Sequence, residues 1–243
     1  MTLDARALAG RTIAIAGANG SLGPYVARAV AGAGATVALT DRDLPALEIL
    51  AAELGVPAER VDCQVVDLMD ERATRAWAAS VRSRFGGVDG VLHLVGGWRG
   101  GKPLATAPMS DWDVLQGLLL TTVQNTSRAF YEALNDSGVG RYAIIGARQA
   151  VEPSSCNAAY ATAKAAAEAW TFALADAFAE ADRGATANVV AINALVTPEQ
   201  RTAEPDKSFK TFTDAEDIAD TLVWLCSDAA GKTNGQRITL YGR

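Results

Sequence analysis

The stretch Thr12-Ile13-Ala14-Ile15-Ala16, then Gly17-Ala18-Asn19-Gly20-Ser21-Leu22-Gly23, then a helical pattern from Pro24 to Ala33, limits the possible folds of this chain more than any other. A short apolar run ending at glycines reads as a strand buried on both faces. Glycine recurs at every third position of the turn that follows. Residues without side chains let the backbone reverse tightly, approach a pyrophosphate and pack the new helix on the sheet, with the helix N-terminus facing the phosphates. A glycine-rich turn alone is a weak signal, and the strand before it and helix after it strengthen it.

The pattern repeats along the chain. Thr36–Thr40, Val61–Val66, Val88–Val95, Tyr142–Ile145, Thr186–Ile192 and Gln236–Tyr241 read as strands. Helical segments alternate with them: one from near Leu44, then Glu71–Phe85, Ser110–Leu134, a long run to Ala181, and Asp214–Ser227 with Thr213 as its cap. In the Ser110–Leu134 stretch, Trp112 and Leu115 fall on the apolar side. Such alternation predicts an α/β fold: a doubly wound parallel sheet, or Rossmann fold, of about seven strands with helices on both faces. Residues 1–243 form one domain in this reading, with a short polar lid over 199–213. Ligands of such sheets bind at the carboxyl ends of the strands. Asp41 closes the second strand, where an acidic side chain accepts both ribose hydroxyls of an adenosine and repels a 2′-phosphate. NAD(H) is therefore preferred, with NADP(H) possible because Arg42 follows directly. The alternative role for Asp41 is capping of the next helix. Asp67, at the end of the third strand, is either a partner for an adenine amine or a helix cap.

Composition excludes several classes. A net charge of −6 without a Lys/Arg run argues against nucleic acid. Three scattered cysteines and a single histidine indicate neither a disulfide framework nor a metal site. The segment Met1–Arg11 has no continuous apolar core, and no apolar run reaches the ~18 residues of a membrane span. A cytoplasmic protein acting on a small molecule is expected.

The chemistry centres on Asn157-Ala158-Ala159-Tyr160-Ala161-Thr162-Ala163-Lys164. An alanine-rich run without Gly or Pro before Gly184 reads as one long helix. Residues four apart share a face, so Tyr160 and Lys164 point the same way. A nearby ammonium is expected to lower the phenol pKa toward that of a proton-transfer group. The small residues of this helix also suit close approach of a second helix, and a homodimer or homotetramer is expected; ordinary core packing explains them equally.

The glycine turn, Asp41, Asp67 and Tyr160-x-x-x-Lys164 together resemble the short-chain dehydrogenase/reductase superfamily over essentially the whole chain. The chain is similar in particular to quinonoid dihydropteridine reductases and their bacterial relatives. That likeness rests on Gly96-Gly97-Trp98-Arg99-Gly100-Gly101, Gly146-Ala147-Arg148-Gln149-Ala150, Thr197-Pro198-Glu199-Gln200-Arg201, Pro205, Phe209 and Tyr241-Gly242-Arg243. The resemblance implies an NAD(P)-dependent oxidoreductase with Tyr160 and Lys164 catalytic. Implied cofactor contacts are Gly17, Asn19, Gly20, Ser21, Leu22, Gly23, Asp41, Arg42, Asp67, Leu68, Val95, Gly96, Gly97, Tyr160, Lys164 and Thr197. Implied substrate contacts are Trp98, Ala147, Arg148 and Ser155.

The chain departs from the superfamily pattern at several points. Ala16 precedes Gly17 in place of the usual threonine, and the spacing of glycines 17, 20 and 23 is closer to that of the extended branch. His93-Leu94-Val95-Gly96 replaces the usual Asn-Asn-Ala-Gly. Leu118 or Leu119 stands at the asparagine that supports a proton-relay water, and Ala147 stands at the serine that bonds the substrate oxygen. Losing such a donor costs roughly a hundred- to a thousand-fold in rate. An activated, electron-poor heterocycle needs less of that help than a ketone, so Ala147 weighs against carbonyl reduction.

The other candidates each have a plain alternative. Trp98 stacks on a flat ring or anchors its loop. Arg99 and Arg148 hold an anionic or carbonyl-rich substrate or are solvated. His93, between Leu92 and Leu94, reads as hydrogen-bonded core. Ser154, Ser155 and Cys156 supply a replacement donor or cap the helix entry. The leading expectation is an NADH-preferring reductase of an activated C=N or quinonoid substrate. The alternatives are a carbonyl reductase or alcohol dehydrogenase using Ser155 or water, and a dinucleotide-binding homologue without turnover.

Overall fold

A computed structural model describes residues 6–241; the reading of the first five residues and the Gly242-Arg243 part of the terminal motif lie outside the described residues. Seven strands form one parallel sheet: β1 (Thr12–Ala16), β2 (Thr36–Asp41), β3 (Val61–Val65), β4 (Gly90–His93), β5 (Arg141–Ala147), β6 (Thr186–Ile192) and β9 (Arg237–Thr239). Two more, β7 (Ala194–Val196) and β8 (Phe212–Asp214), pair in parallel beside it. The helices are α1 (Gly23–Gly32), α2 (Leu44–Glu53), α3 (Glu71–Phe85), α4 (Met109–Gln116), α5 (Thr122–Ser137), α6 (Ala158–Ala181), α7 (Pro198–Ala203) and α8 (Ala215–Cys226).

The sheet order is β3-β2-β1-β4-β5-β6-β9, so the chain reverses direction across the sheet between β1 and β4. Register aligns Ala16 with Thr40 on one side and with His93 on the other. The crevice where a ligand binds in such sheets therefore opens above these strand ends. Central strands are buried on both faces, as their continuous apolar runs require. One apolar layer packs under α1, α2 and α8, around Val26, Val30, Leu47 and Leu222. The opposite layer packs under α3, α5 and α6, where Trp77 and Phe130 meet edge-on at 4.9 Å.

Local signals explain the helix ends. Asp70 accepts from the backbone N–H groups of Arg72 and Ala73 to open α3, and Gly86 closes it in the left-handed conformation. Two capping expectations are corrected. Asp43, not Asp41, accepts from the Ala46 N–H to start α2. Thr213 does not cap α8: its hydroxyl donates to the Leu240 carbonyl at 2.8 Å, and Asp214 precedes the helix without a side-chain cap. The predicted Ser110–Leu134 helix is divided by a π-helical turn over Gly117–Thr121. The Thr122 hydroxyl donates to the Leu118 carbonyl at 2.7 Å within that wider turn.

Gly23 shows why the glycine turn fixes the fold. A Cβ there would lie 2.1 Å from the Ala18 carbonyl oxygen, a backbone atom that cannot move aside. Gly23→Ala is expected to cost about 1–3 kcal/mol or more in denaturant unfolding. Gly32→Ala, at the other end of α1 with nothing within 4 Å of the added carbon, is expected to be neutral or stabilising.

Candidate active site

Two adjoining cavities open at the carboxyl ends of the strands. The first, about 330 Å³, is lined by Gly17, Asn19, Gly20, Asp41, Arg42, Asp67, Leu68, Val95 and Gly96 together with Val66, Met69, Leu94, Leu118 and Thr122. The second, about 710 Å³, shares Gly20, Leu94, Val95 and Gly96 with it and adds Ser21, Leu22, Gly97, Trp98, Gln149, Tyr160, Lys164 and Asn193, among others. Of the cofactor positions expected from sequence, Gly23 and Thr197 line neither cavity. Gly23 packs α1 on the turn, and Thr197 caps α7 in a reciprocal box with Gln200.

The first cavity has the features of a dinucleotide cradle. Gly17 has φ +84, and a Cβ on it would come within 2.9 Å of the Val95 nitrogen. No side chain caps α1 at its start and no acidic residue sits in its first turn, which suits an anion there. The Asp41 carboxylate is fixed by the backbone N–H groups of Asn19 at 2.9 Å and Arg42 at 2.8 Å.

The second cavity contains the tyrosine–lysine pair. The Lys164 ammonium is buried and donates to the Ile145 carbonyl at 2.7 Å, not to the phenol. Burial lowers its pKa to about 8, partly offset by the Glu168 charge. Tyr160 differs from expectation: its pKa is raised to about 12, first by burial and then by Glu168. The reason is local. Tyr160 packs against an apolar cluster of Leu115, Leu119 and Ala163, against which Trp112 and Leu118 also pack. At neutral pH Tyr160 therefore carries its proton and Lys164 its charge, a state suited to donating a proton.

Sequence reasoning missed a buried ion pair beneath this helix face. Glu168, four residues beyond Lys164, accepts from Arg237 Nε at 2.8 Å and from the Ala147 N–H at 3.2 Å. Arg237 also donates to the Ala147 carbonyl at 2.9 Å and to the Tyr241 hydroxyl at 3.0 Å. The Ala147 peptide is thus held at both ends. Gly146 makes this possible, since a Cβ there would sit 2.4 Å from Glu168 Oε1. Neither partner carried a signal, because they lie 69 positions apart.

Three expected substrate residues do not reach the cavity. Arg148 pairs with Glu152 at 2.6 Å and lies over the Tyr241 ring. Ser155 is exposed, and among the described residues its hydroxyl approaches only the Cys156 sulfur, at 3.9 Å. Ala147 is buried in the strand end beneath the lining. Trp98 does line the cavity, on a loop where it remains 63% exposed against Gly100 and Gly101. His93 is core: burial and the Lys164 charge lower its pKa to about 3, and its ring bonds Thr122 and Thr126.

Two outcomes are expected. Glu168→Gln leaves Arg237 charged and partly buried without its partner and should cost about 3–5 kcal/mol, more than replacing both residues by methionine. Lys164 binds fewer protons folded than unfolded between about pH 8 and its ordinary 10.5. The stability difference between wild type and Lys164→Met should therefore move in favour of wild type as pH rises through that window; a flat difference would contradict the lowered pKa.

Residues 16–242 match a protein family described as enoyl-(acyl carrier protein) reductase. The chain is 26% identical to 2,3-dihydro-2,3-dihydroxybenzoate dehydrogenase of Bacillus subtilis, over 99% of this chain and 98% of that protein. It is 26% identical to 7alpha-hydroxysteroid dehydrogenase of Escherichia coli, over 97% of this chain and 94% of the other. The fold superposes on levodione reductase with a TM-score of 0.86 at 22% identity, covering 97% of each chain. With a match across nearly its whole length, the chain belongs to the short-chain dehydrogenase/reductase superfamily of NAD(P)-dependent oxidoreductases.

Proposed function

We propose that this protein is an NADH-preferring reductase of an activated C=N or quinonoid ring system, similar in activity to dihydropteridine reductases. The observation that carries this reading is a cavity with a protonated tyrosine and a charged lysine but no hydroxyl at position 147. Such a site delivers a proton well and polarises a carbonyl poorly. A substrate that is already electron-poor needs only the first.

The bound nicotinamide would supply the hydride. Asp41 would take the adenosine ribose and disfavour a 2′-phosphate. Lys164, anchored on the Ile145 carbonyl, would face the second ribose and keep positive charge near the phenol. Tyr160 would give its proton to the reduced ring. Trp98, exposed at the rim, offers an indole face to a flat heterocycle.

The second reading, a dehydrogenase of a small hydroxy compound, draws support from the dehydrogenases among the relatives. Oxidation requires Tyr160 as a base, and a phenol pKa near 12 opposes that direction. A groove beside α5 and α6, walled by Tyr131, Trp170, Ala173 and Ala177, supports assembly of copies into a homodimer or homotetramer.

Titration is expected to give tighter binding of NADH than of NADPH, followed by turnover of quinonoid dihydropterin. Tyr160→Phe should bind NADH normally and lose about a hundred- to ten-thousand-fold in kcat. Full turnover by Tyr160→Phe would remove the tyrosine from the chemistry.

A further inference from the structure

The missing serine leaves a question of chemistry: which group bonds the substrate where position 147 carries only a methyl? Among the described residues lining the larger cavity, the side-chain donors are few. Lys164 is engaged with the Ile145 carbonyl, and Asn193 Nδ2 donates to the Thr211 carbonyl at 3.2 Å. Ser21 and Trp98 are exposed to water. Tyr160 is the proton donor. Gln149 remains.

Its carboxamide is left nearly unsatisfied by the protein. Nε2 makes one long contact, 3.5 Å to Asn193 Oδ1, and Oε1 is buried with no partner among the described residues. The orientation follows from the neighbours. Because Asn193 uses its Nδ2 on Thr211, its oxygen must face Gln149, so the Gln149 nitrogen turns toward it and the Gln149 oxygen is stranded. A buried acceptor without a partner is destabilising, and a ligand that donates to it relieves that cost. The terminal torsion of glutamine is soft, so a small rotation can present the amide to a ligand. The turn that bears it, Arg148–Ala150, follows directly from the Ala147 peptide that Glu168 and Arg237 hold at both ends.

We propose that Gln149 is the substrate-binding residue that stands in for the absent serine, donating from Nε2 to the substrate atom beside the reacting centre and accepting at Oε1 from a substrate N–H. A carboxamide used in this way pairs with an adjacent acceptor and donor, the edge of a lactam or cyclic amidine, and not with a simple ketone. The inference rests on the reductase reading above and assigns the substrate class more narrowly: a heterocycle with ring N–H next to C=O or C=N.

The test uses the full chain with NADH, reading kcat on quinonoid dihydropterin and, in parallel, on cyclohexanedione. Gln149→Met keeps length and volume but removes both polar atoms. It should lower kcat by about a hundred- to a thousand-fold on the pterin, with KM for NADH and Tm unchanged. Wild-type dione reduction should be slower than pterin reduction. The inference is overturned if Gln149→Met keeps kcat within about threefold, or if kcat, NADH affinity and Tm fall together. Turnover of the dione alone would reject the ring N–H class and the pterin-like reading, while the Gln149→Met kinetics on the dione would still decide the donor role. Turnover of neither probe would reject both.

Discussion

The site depends on how closely α6 approaches the end of β5. Gly146 has no side chain, so the Glu168 carboxylate can reach the Ala147 N–H while pairing with Arg237 from the last strand of the sheet. One helix face thereby carries Tyr160, Lys164 and Glu168 at successive turns, and the last two act on the same few ångströms of strand. Lys164 takes the Ile145 carbonyl; Glu168 takes the peptide two residues on. A buried ion pair is weak evidence for stability, but it fixes geometry, and here it fixes the peptide from which the substrate side of the cavity begins.

Burial then sets the protonation states. Leucines at the π-helical turn replace what the superfamily resemblance expects to be a polar, water-holding position, and Leu119 belongs to the apolar cluster that packs against Tyr160. Desolvation raises Tyr160 and lowers Lys164, while the Glu168 charge raises both. The result is a site with its proton loaded and little electrophilic assistance. Both features underlie the proposal of a substrate that is easy to reduce and needs a proton.

Much of the fold could be read from sequence because its determinants are local and periodic. Short apolar runs between turns marked the strands of the main sheet, and the alanine-rich run entered from Asn157 and continuing to about Ala181 marked the long helix found at Ala158–Ala181. The glycine turn, Asp41, Asp67, Tyr160 and Lys164 were visible for the same reason: each sits at a strand end or one helical turn from its partner. What stayed hidden depends on contacts between distant residues. Glu168 meets Arg237 across the sheet, and Gln149 owes its unsatisfied amide to Asn193 and Thr211 on other segments. The Tyr160 pKa rises where the sequence predicts a fall, because helix spacing reveals the ammonium but not the leucines. Ser155 looked available from its place before the helix, yet the chain turns it to solvent.

A crystal structure of the protein with NADH would test the central claim most directly. The account predicts the reduced nicotinamide ring in the larger cavity, its C4 facing the Tyr160 hydroxyl and Gln149, its ribose at Lys164 and the adenosine ribose on Asp41. A ring bound away from that cavity, or a Tyr160 hydroxyl cut off from it by the apolar cluster, would contradict the account.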